Sequence, residues 1–149
     1  MAGTRKLQRR GVLIAAGGIG LLAREAAATP EVVASLLGQF LGGEPAATGR
    51  VTLDLPAIAE DGNTVPLTVK VESPMTEADH VATIWILAER NPEPVVAVFH
   101  LSPLSGRAEI STRIRLARTQ TVIAAARMSD GSAHLARAEV KVTVGGCGG

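Results

Sequence analysis

The sequence contains a single cysteine and very few aromatic side chains. Its 149 residues include one tryptophan, two phenylalanines and no tyrosine. One cysteine excludes a disulfide within the chain, and one thiolate cannot form a zinc site without distant partners. Because the aromatics are only Phe40, Trp85 and Phe99, and no lysine-rich patch accompanies them, nucleic-acid binding has no support.

The patterns of a self-contained active site are also missing. The sequence has no Ser-His-Asp arrangement, no phosphate-binding loop and no cofactor fingerprint. His80, His100 and His134 lie far apart and lack the spacing of metal ligands, so we expect them to have surface or packing roles. The sequence therefore predicts no catalytic residue, no metal site and no bound cofactor.

Residues 1–28 are predicted to be an export signal and not part of the fold. A basic front precedes an apolar run over residues 12–22, and a small-residue cleavage site ends at Ala28. The apolar run is about half the length of a permanent membrane span. The pair Arg9-Arg10 favours the twin-arginine route to the periplasm. A buried N-terminal helix is the alternative.

Removal of this segment reverses the sign of the net charge. The whole chain has 15 basic and 14 acidic residues, and residues 1–28 hold five of the former and one of the latter. The remaining 121 residues thus carry ten basic and 13 acidic side chains, or a net charge of −3. Their number fits one domain.

A short helix and a linker are predicted over residues 29–49. Thr29 can cap the helix, Pro30 suits its first turn, and Glu31 favours its positive end. Apolar residues then recur at helical spacing as far as Leu41, after which Gly42-Gly43 ends the helix. We expect the apolar stripe to pack against the domain; a partner-facing helix is the alternative.

From residue 50 to residue 144 the pattern is all-β. Short segments of alternating or continuously apolar residues are separated by turns rich in Gly, Pro, Asn and Asp. About seven such strands at regular spacing predict an immunoglobulin-like antiparallel β-sandwich. The predicted strands cover residues 50–55, 65–72, 81–89, 95–101, 108–116, 121–128 and 133–144.

The cysteine lies in the C-terminal tail, which reads Gly145-Gly146-Cys147-Gly148-Gly149. Four glycines leave the sulfur as the only side chain, so we predict a mobile arm over residues 145–149. An extended chain from Val144 to Cys147 spans about 10 Å. Only two residues follow the cysteine, which excludes a prenylation signal. A free thiol or an intermolecular link remains.

The thiol lacks an obvious activating group in the sequence. At a reference pKa of about 8.5, only a few per cent is thiolate at neutral pH. The nearest basic residue along the chain is Lys141, which lies on the last predicted strand. Activation would then come from whatever active site the arm enters, which favours a carrier over a self-sufficient enzyme.

The tail and several motifs before it resemble the SoxY family, the sulfur-carrier subunits of the bacterial thiosulfate-oxidising (Sox) system. The ending Val144-Gly145-Gly146-Cys147-Gly148-Gly149 is similar to the carrier arm of that family. The resemblance runs from about Gly49 to the end through these motifs: Leu53-Asp54-Leu55-Pro56, Asp61-Gly62-Asn63-Thr64-Val65-Pro66, Ser73-Pro74-Met75-Thr76, Asn91-Pro92-Glu93-Pro94 and Thr112-Arg113-Ile114-Arg115-Leu116.

The resemblance implies a function and a set of partners. Cys147 would be the covalent attachment residue, and Gly145, Gly146, Gly148 and Gly149 would form the arm. SoxZ would be the heterodimer partner. The haem enzyme SoxAX would load thiosulfate, the hydrolase SoxB would release sulfate, and a sulfane dehydrogenase would oxidise the remaining sulfur. The resemblance implies the same β-sandwich fold.

Two other functions remain open from the residues alone. The first is an exported immunoglobulin-like structural or interaction module whose lone cysteine forms an intermolecular disulfide. The second is a thiol enzyme that uses Cys147 as its own nucleophile, although no base lies nearby in the sequence.

Overall fold

A computed structural model describes residues 28–146, and within this range the chain forms eight β-strands, one α-helix and one 3₁₀ turn. Two predicted segments lie outside the described range. They are the signal with Arg9 and Arg10, of which only Ala28 is described, and the last residues Cys147, Gly148 and Gly149. The elements are α1 (Pro30–Phe40), β1 (Val51–Asp54), β2 (Ile58–Asp61), β3 (Val65–Val71), β4 (Val81–Ala88), β5 (Val95–His100), the 3₁₀ turn (Pro103–Ser105), β6 (Glu109–Ile114), β7 (Gln120–Met128) and β8 (Ala133–Val144).

The strands form two sheets, which confirms the predicted β-sandwich. The smaller sheet has the order β1-β3-β6 and the larger has the order β2-β8-β7-β4-β5. All seven predicted strands are present, but β2 was not predicted, and its pairing with β8 is parallel. The sandwich is therefore antiparallel except at this edge. Strand β5 lies at the opposite edge of the larger sheet.

The main core lies between the two sheets. Strand β3 alternates strictly, with Val65, Leu67, Val69 and Val71 buried and the residues between them more exposed. These side chains meet the inward-facing residues of the larger sheet. Among the largest fully buried members are Leu67, Ile84, Ile86, Leu116, Met128 and Val122.

The helix packs against the domain, as predicted, and covers the outer face of the larger sheet. Val33, Leu37 and Leu41 pack on the outward-facing residues Leu87 and Ile123. The Phe40 ring stacks on Trp85 of β4, with ring centroids 5.4 Å apart and planes 3° from parallel. Strands β4 and β7 are thus buried on both faces, which explains their continuously apolar sequences.

The helix begins as the sequence predicts. The Thr29 side chain accepts a hydrogen bond from the backbone N–H of Val32 (3.4 Å), and Pro30 occupies the first turn. A hydrogen bond from the Thr29 side chain lowers the pKa of the Glu31 carboxyl. After the helix, the chain contacts the start of β8 at Ala47. The Ala47 N–H donates to the Ala133 carbonyl, and the Ala47 carbonyl accepts from the Leu135 N–H (both 2.9 Å). In the described part of the chain, no helix is long and apolar enough to span a membrane.

Candidate functional site at the base of the C-terminal arm

Strand β8 carries the chain to the predicted arm and changes neighbour on the way. It pairs with β7 through residues 133–140 and then with β2 through Lys141–Val144. Where the pairing with β7 ends, the Thr119 hydroxyl takes its place. It accepts a bond from the Val142 N–H (3.0 Å) and donates one to the Val142 carbonyl (3.4 Å). The end of β8 is therefore hydrogen-bonded on both sides, to β2 on one and to Thr119 on the other.

Three linked backbone hydrogen bonds lie where β8 ends and the predicted arm begins. The Gly62 N–H donates to the Val144 carbonyl (2.7 Å), and the Leu116 N–H donates to the Gly62 carbonyl (2.8 Å). The Gly146 N–H in turn donates to the Leu116 carbonyl (2.9 Å). We call Gly62, Leu116, Val144 and Gly146 the clasp. It joins three separate stretches of the sequence immediately before Cys147.

The glycines of the clasp permit close backbone contacts. A methyl group at Gly62 would contact the Leu116 carbonyl oxygen, and it would lie 2.8 Å from the Gly146 nitrogen and 2.9 Å from Val142 Cγ1. A methyl group at Gly145 would contact the Ala117 carbonyl oxygen, and one at Gly146 would contact the Gly62 carbonyl. None of these three glycines has a positive φ. Close approach, and not an unusual backbone conformation, is what excludes larger residues here.

A buried amide pair holds the loop that carries Leu116. Asn91 Nδ2 donates to the Arg115 carbonyl (2.9 Å), and Asn91 Oδ1 accepts from the Ala117 N–H (2.9 Å). Gln120 Nε2 donates to the same Asn91 oxygen (2.8 Å). Both amide side chains are buried and satisfied, as buried polar groups need to be. The position of the Leu116 carbonyl, and with it the clasp, depends on this pair.

The backbone of Asn91 also contacts the predicted processing site. The Asn91 carbonyl accepts a hydrogen bond from the Ala28 N–H (3.2 Å), and Ala28 is buried against the body. Cleavage after Ala28 stays a prediction. If it occurs there, the mature chain loses this contact and begins at the helix cap Thr29.

The fold brings basic residues to the arm that the linear sequence did not indicate. Arg115 and Arg118 flank the two residues whose carbonyls contact Gly145 and Gly146. Both arginines are exposed, and neither is ion-paired with a described acidic residue. Lys141 is therefore not the only basic residue near the base of the arm. The contact joins residues about 30 positions apart, so no local motif could have revealed it.

The structure places the other predicted residues apart from this site. His80 bonds the Thr76 carbonyl and His100 bonds the Thr83 hydroxyl, both away from the arm. His134 lies beside Ala47, near the start of β8. Within residues 28–146, no three His, Cys, Asp or Glu side chains come together as metal ligands. Gly145 and Gly146 are the described members of the predicted arm, and both contact the body.

The contacts at Gly146 also limit what the arm can bind. Backbone N–H groups of flexible glycines can hold an anion. In this conformation, however, the Gly146 N–H already bonds the Leu116 carbonyl. It becomes available to an anionic group only if the clasp opens.

Comparison with known proteins bears on this site. A family model described as "Sulfur oxidation protein SoxY" matches residues 37–147. The solved structure of the sulfur carrier protein SoxY from Chlorobium limicola f thiosulfatophilum is similar, with 29% identity and a TM-score of 0.63. The match covers 75% of this chain and 96% of that one. No curated protein matches the sequence significantly.

The fold occurs in another group of proteins too. The superoxide reductase (neelaredoxin) from Ignicoccus hospitalis matches with 16% identity and a TM-score of 0.55, covering 78% of this chain and 94% of that one. At this identity the likeness concerns the sandwich alone.

Proposed function

Because this chain belongs to the SoxY family of sulfur oxidation proteins, we propose that it carries sulfur intermediates covalently on Cys147. The observation that carries the proposal is the extent of the family match, which runs through Cys147 itself. The chain has no second thiol that could take this role. The clasp supports the proposal because it leads the chain out of a rigid sheet immediately before the cysteine.

The loading step joins two sulfur atoms by oxidation. The Cys147 thiol and thiosulfate form an S–S bond, giving a cysteine S-thiosulfonate and releasing one proton and two electrons. A c-type haem enzyme of the SoxAX kind would accept the electrons. Water then cleaves the bond to the sulfonate group and releases sulfate, which leaves a persulfide on Cys147. A hydrolase of the SoxB kind would catalyse this second step.

The remaining sulfur and the partners follow from the same family. A sulfane dehydrogenase would oxidise the persulfide sulfur, and SoxZ would be the stable partner subunit. We propose that the protein itself is a substrate carrier and not an enzyme, and that it holds no cofactor. Its place would be the periplasm, reached through residues 1–28 by the twin-arginine route.

The direct test is the intact mass of the mature protein from thiosulfate-grown cells, before and after reduction. We expect a reducible mass increase of sulfur, sulfonate or thiosulfate that maps to Cys147. Cys147→Ser should abolish it, and the control Thr143→Ser, an exposed change on β8, should retain it. The same spectrum also gives the mass of the mature N-terminus, and so the cleavage site.

Other outcomes of this experiment would favour the alternatives. A disulfide dimer under every growth condition, without a sulfur adduct, would support the structural or interaction module. Thiosulfate turnover by the isolated chain would support a thiol enzyme. A bare thiol throughout growth on thiosulfate would contradict the carrier proposal.

A further inference from the structure

Gly145 and Gly146 have a structural role that the sequence pattern did not indicate. Gly148 and Gly149 follow the cysteine, whereas Gly145 and Gly146 precede it and contact the body. Gly146 is buried, and its N–H is bonded. The segment before the cysteine is therefore shaped to fit a surface of the sandwich.

We propose that the clasp is a releasable dock for the base of the arm, and that Gly62 is the residue that positions it. This proposal rests on the carrier function of Cys147. With the clasp closed, Gly146 is bound to the body, and Cys147 is the next residue in the sequence. With the clasp open, residues 145 and 146 join the arm and extend its reach by about 7 Å. The carrier would thus have a short and a long arm.

The geometry at Gly62 is the main support for this role. Gly62 donates to the Val144 carbonyl and accepts from the Leu116 N–H, so it links the last residue of β8 to the loop that receives Gly146. Any side chain there would meet the Leu116 carbonyl and the Gly146 nitrogen, which are backbone atoms and cannot rotate away. The φ of Gly62 suits other residues. The close contact, and not a positive φ, therefore requires glycine here.

The weakness of the bond at Gly146 makes release feasible. Val140 is fully buried and paired within the sheet, whereas Gly146, although buried against Gly62, donates one backbone hydrogen bond to the body. One such bond contributes little net free energy in water, so opening needs no unfolding of the sandwich. A partner active site that binds the extended arm can then shift the equilibrium towards the open state.

Amide hydrogen exchange of the full chain, measured residue by residue by NMR, tests the dock without any sulfur chemistry. We expect the Gly146 amide to exchange at least about tenfold more slowly than in an unstructured peptide, yet faster than the Val140 amide. Gly62→Ala should raise the Gly146 rate to within about twofold of the unstructured rate and leave Val140 unchanged. The control Gly38→Ala adds the same methyl group on the exposed face of the helix, with no atom within 4 Å, and should change neither rate.

Two further measurements keep the proposal falsifiable if Gly62→Ala folds poorly. Gly145→Ala lies beyond the last strand, and its methyl group would meet the Ala117 carbonyl, so it should give the same increase at Gly146. A nitroxide attached to Cys147, the only cysteine, should gain a larger fast-moving component in both variants but not in Gly38→Ala. A Gly146 amide that exchanges at the unstructured rate in the wild type, or is unaffected by both substitutions, would overturn the dock.

The sulfur chemistry separates failure of the dock from failure of the carrier. An adduct on Cys147 together with an unprotected Gly146 amide would retain the carrier and discard the dock. A protected Gly146 amide without any adduct on Cys147 would contradict the carrier function. It would also contradict the proposal that the dock serves that function.

Discussion

Removing the Asn91 side chain should destabilise the sandwich far more than its loop position suggests. In Asn91→Ala the Arg115 carbonyl and the Ala117 N–H lose their side-chain partners. Gln120 Nε2 keeps only its bond to the Arg118 carbonyl (3.0 Å), while Gln120 Oε1 still accepts from the Arg90 N–H (2.8 Å). Each buried polar group left without a partner costs about 1–3 kcal/mol. Because these two groups are only partly buried, we take the lower half of the range and expect a loss of about 2–4 kcal/mol.

The assay is reversible unfolding of the full chain by heat and by urea, which gives the Tm and the free energy of unfolding. For a domain of this size, a loss of 1 kcal/mol lowers Tm by about 4 °C, so Tm should fall by about 8–16 °C. The matched control is Asn63→Ala, an exposed asparagine whose side chain bonds only the neighbouring Asp61 (2.9 Å). It should cost about 0.5 kcal/mol or less. Equal effects of the two substitutions would refute the structural role assigned to Asn91.

Three other predictions concern the helix, the charge near the arm and the response to pH. Phe40→Ala removes the ring stacked on Trp85 and should cost about 1–2 kcal/mol; because Trp85 is the only tryptophan, its fluorescence reports the change, and an unaltered spectrum would argue against the stack. Arg115→Gln with Arg118→Gln should slow thiosulfate loading about threefold at low salt and have little effect at high salt, whereas an equal slowing at both would exclude an electrostatic role. The pKa of Glu31 is lowered in the folded state by its bond to Thr29, so the unfolded state binds the proton more readily. Its contribution is therefore present above the ordinary carboxyl pKa and is lost as pH falls through the lower, folded pKa. Glu31→Gln should remove that part of the acid sensitivity, as seen in Tm measured between about pH 6 and pH 3.

The strands and the helix were predictable because their signals are local. Alternation in β3 and the cap, proline and apolar spacing of α1 each lie within one short segment. Strand β2 escaped prediction because only Ala59 of its four residues is buried. Its pairing depends on backbone hydrogen bonds to β8, which no side-chain pattern reports.

The chemistry of the site stays a prediction from the sequence, whereas the architecture around Gly145 and Gly146 was not predicted. A single cysteine among glycines indicates an accessible thiol from sequence alone. The sequence analysis explained the glycines at positions 145 and 146 by flexibility alone. It did not predict that they pack closely on Ala117 and Gly62. Those contacts join residues far apart in the chain, as do the bonds of Asn91 to the Arg115 loop. Long-range contacts of this kind depend on the tertiary fold.

The two-sided pairing of β8 has a mechanical consequence. If a partner enzyme binds the arm as we propose, a pull on the arm would apply tension to the end of β8. The twelve residues of β8 are bonded to β7 on one side and then to β2 on the other, with opposite chain directions. A pull along the strand loads many of these bonds at once in shear and does not open them one by one. We therefore expect the hydrogen bonds of the clasp to break first under tension, while the sandwich stays folded.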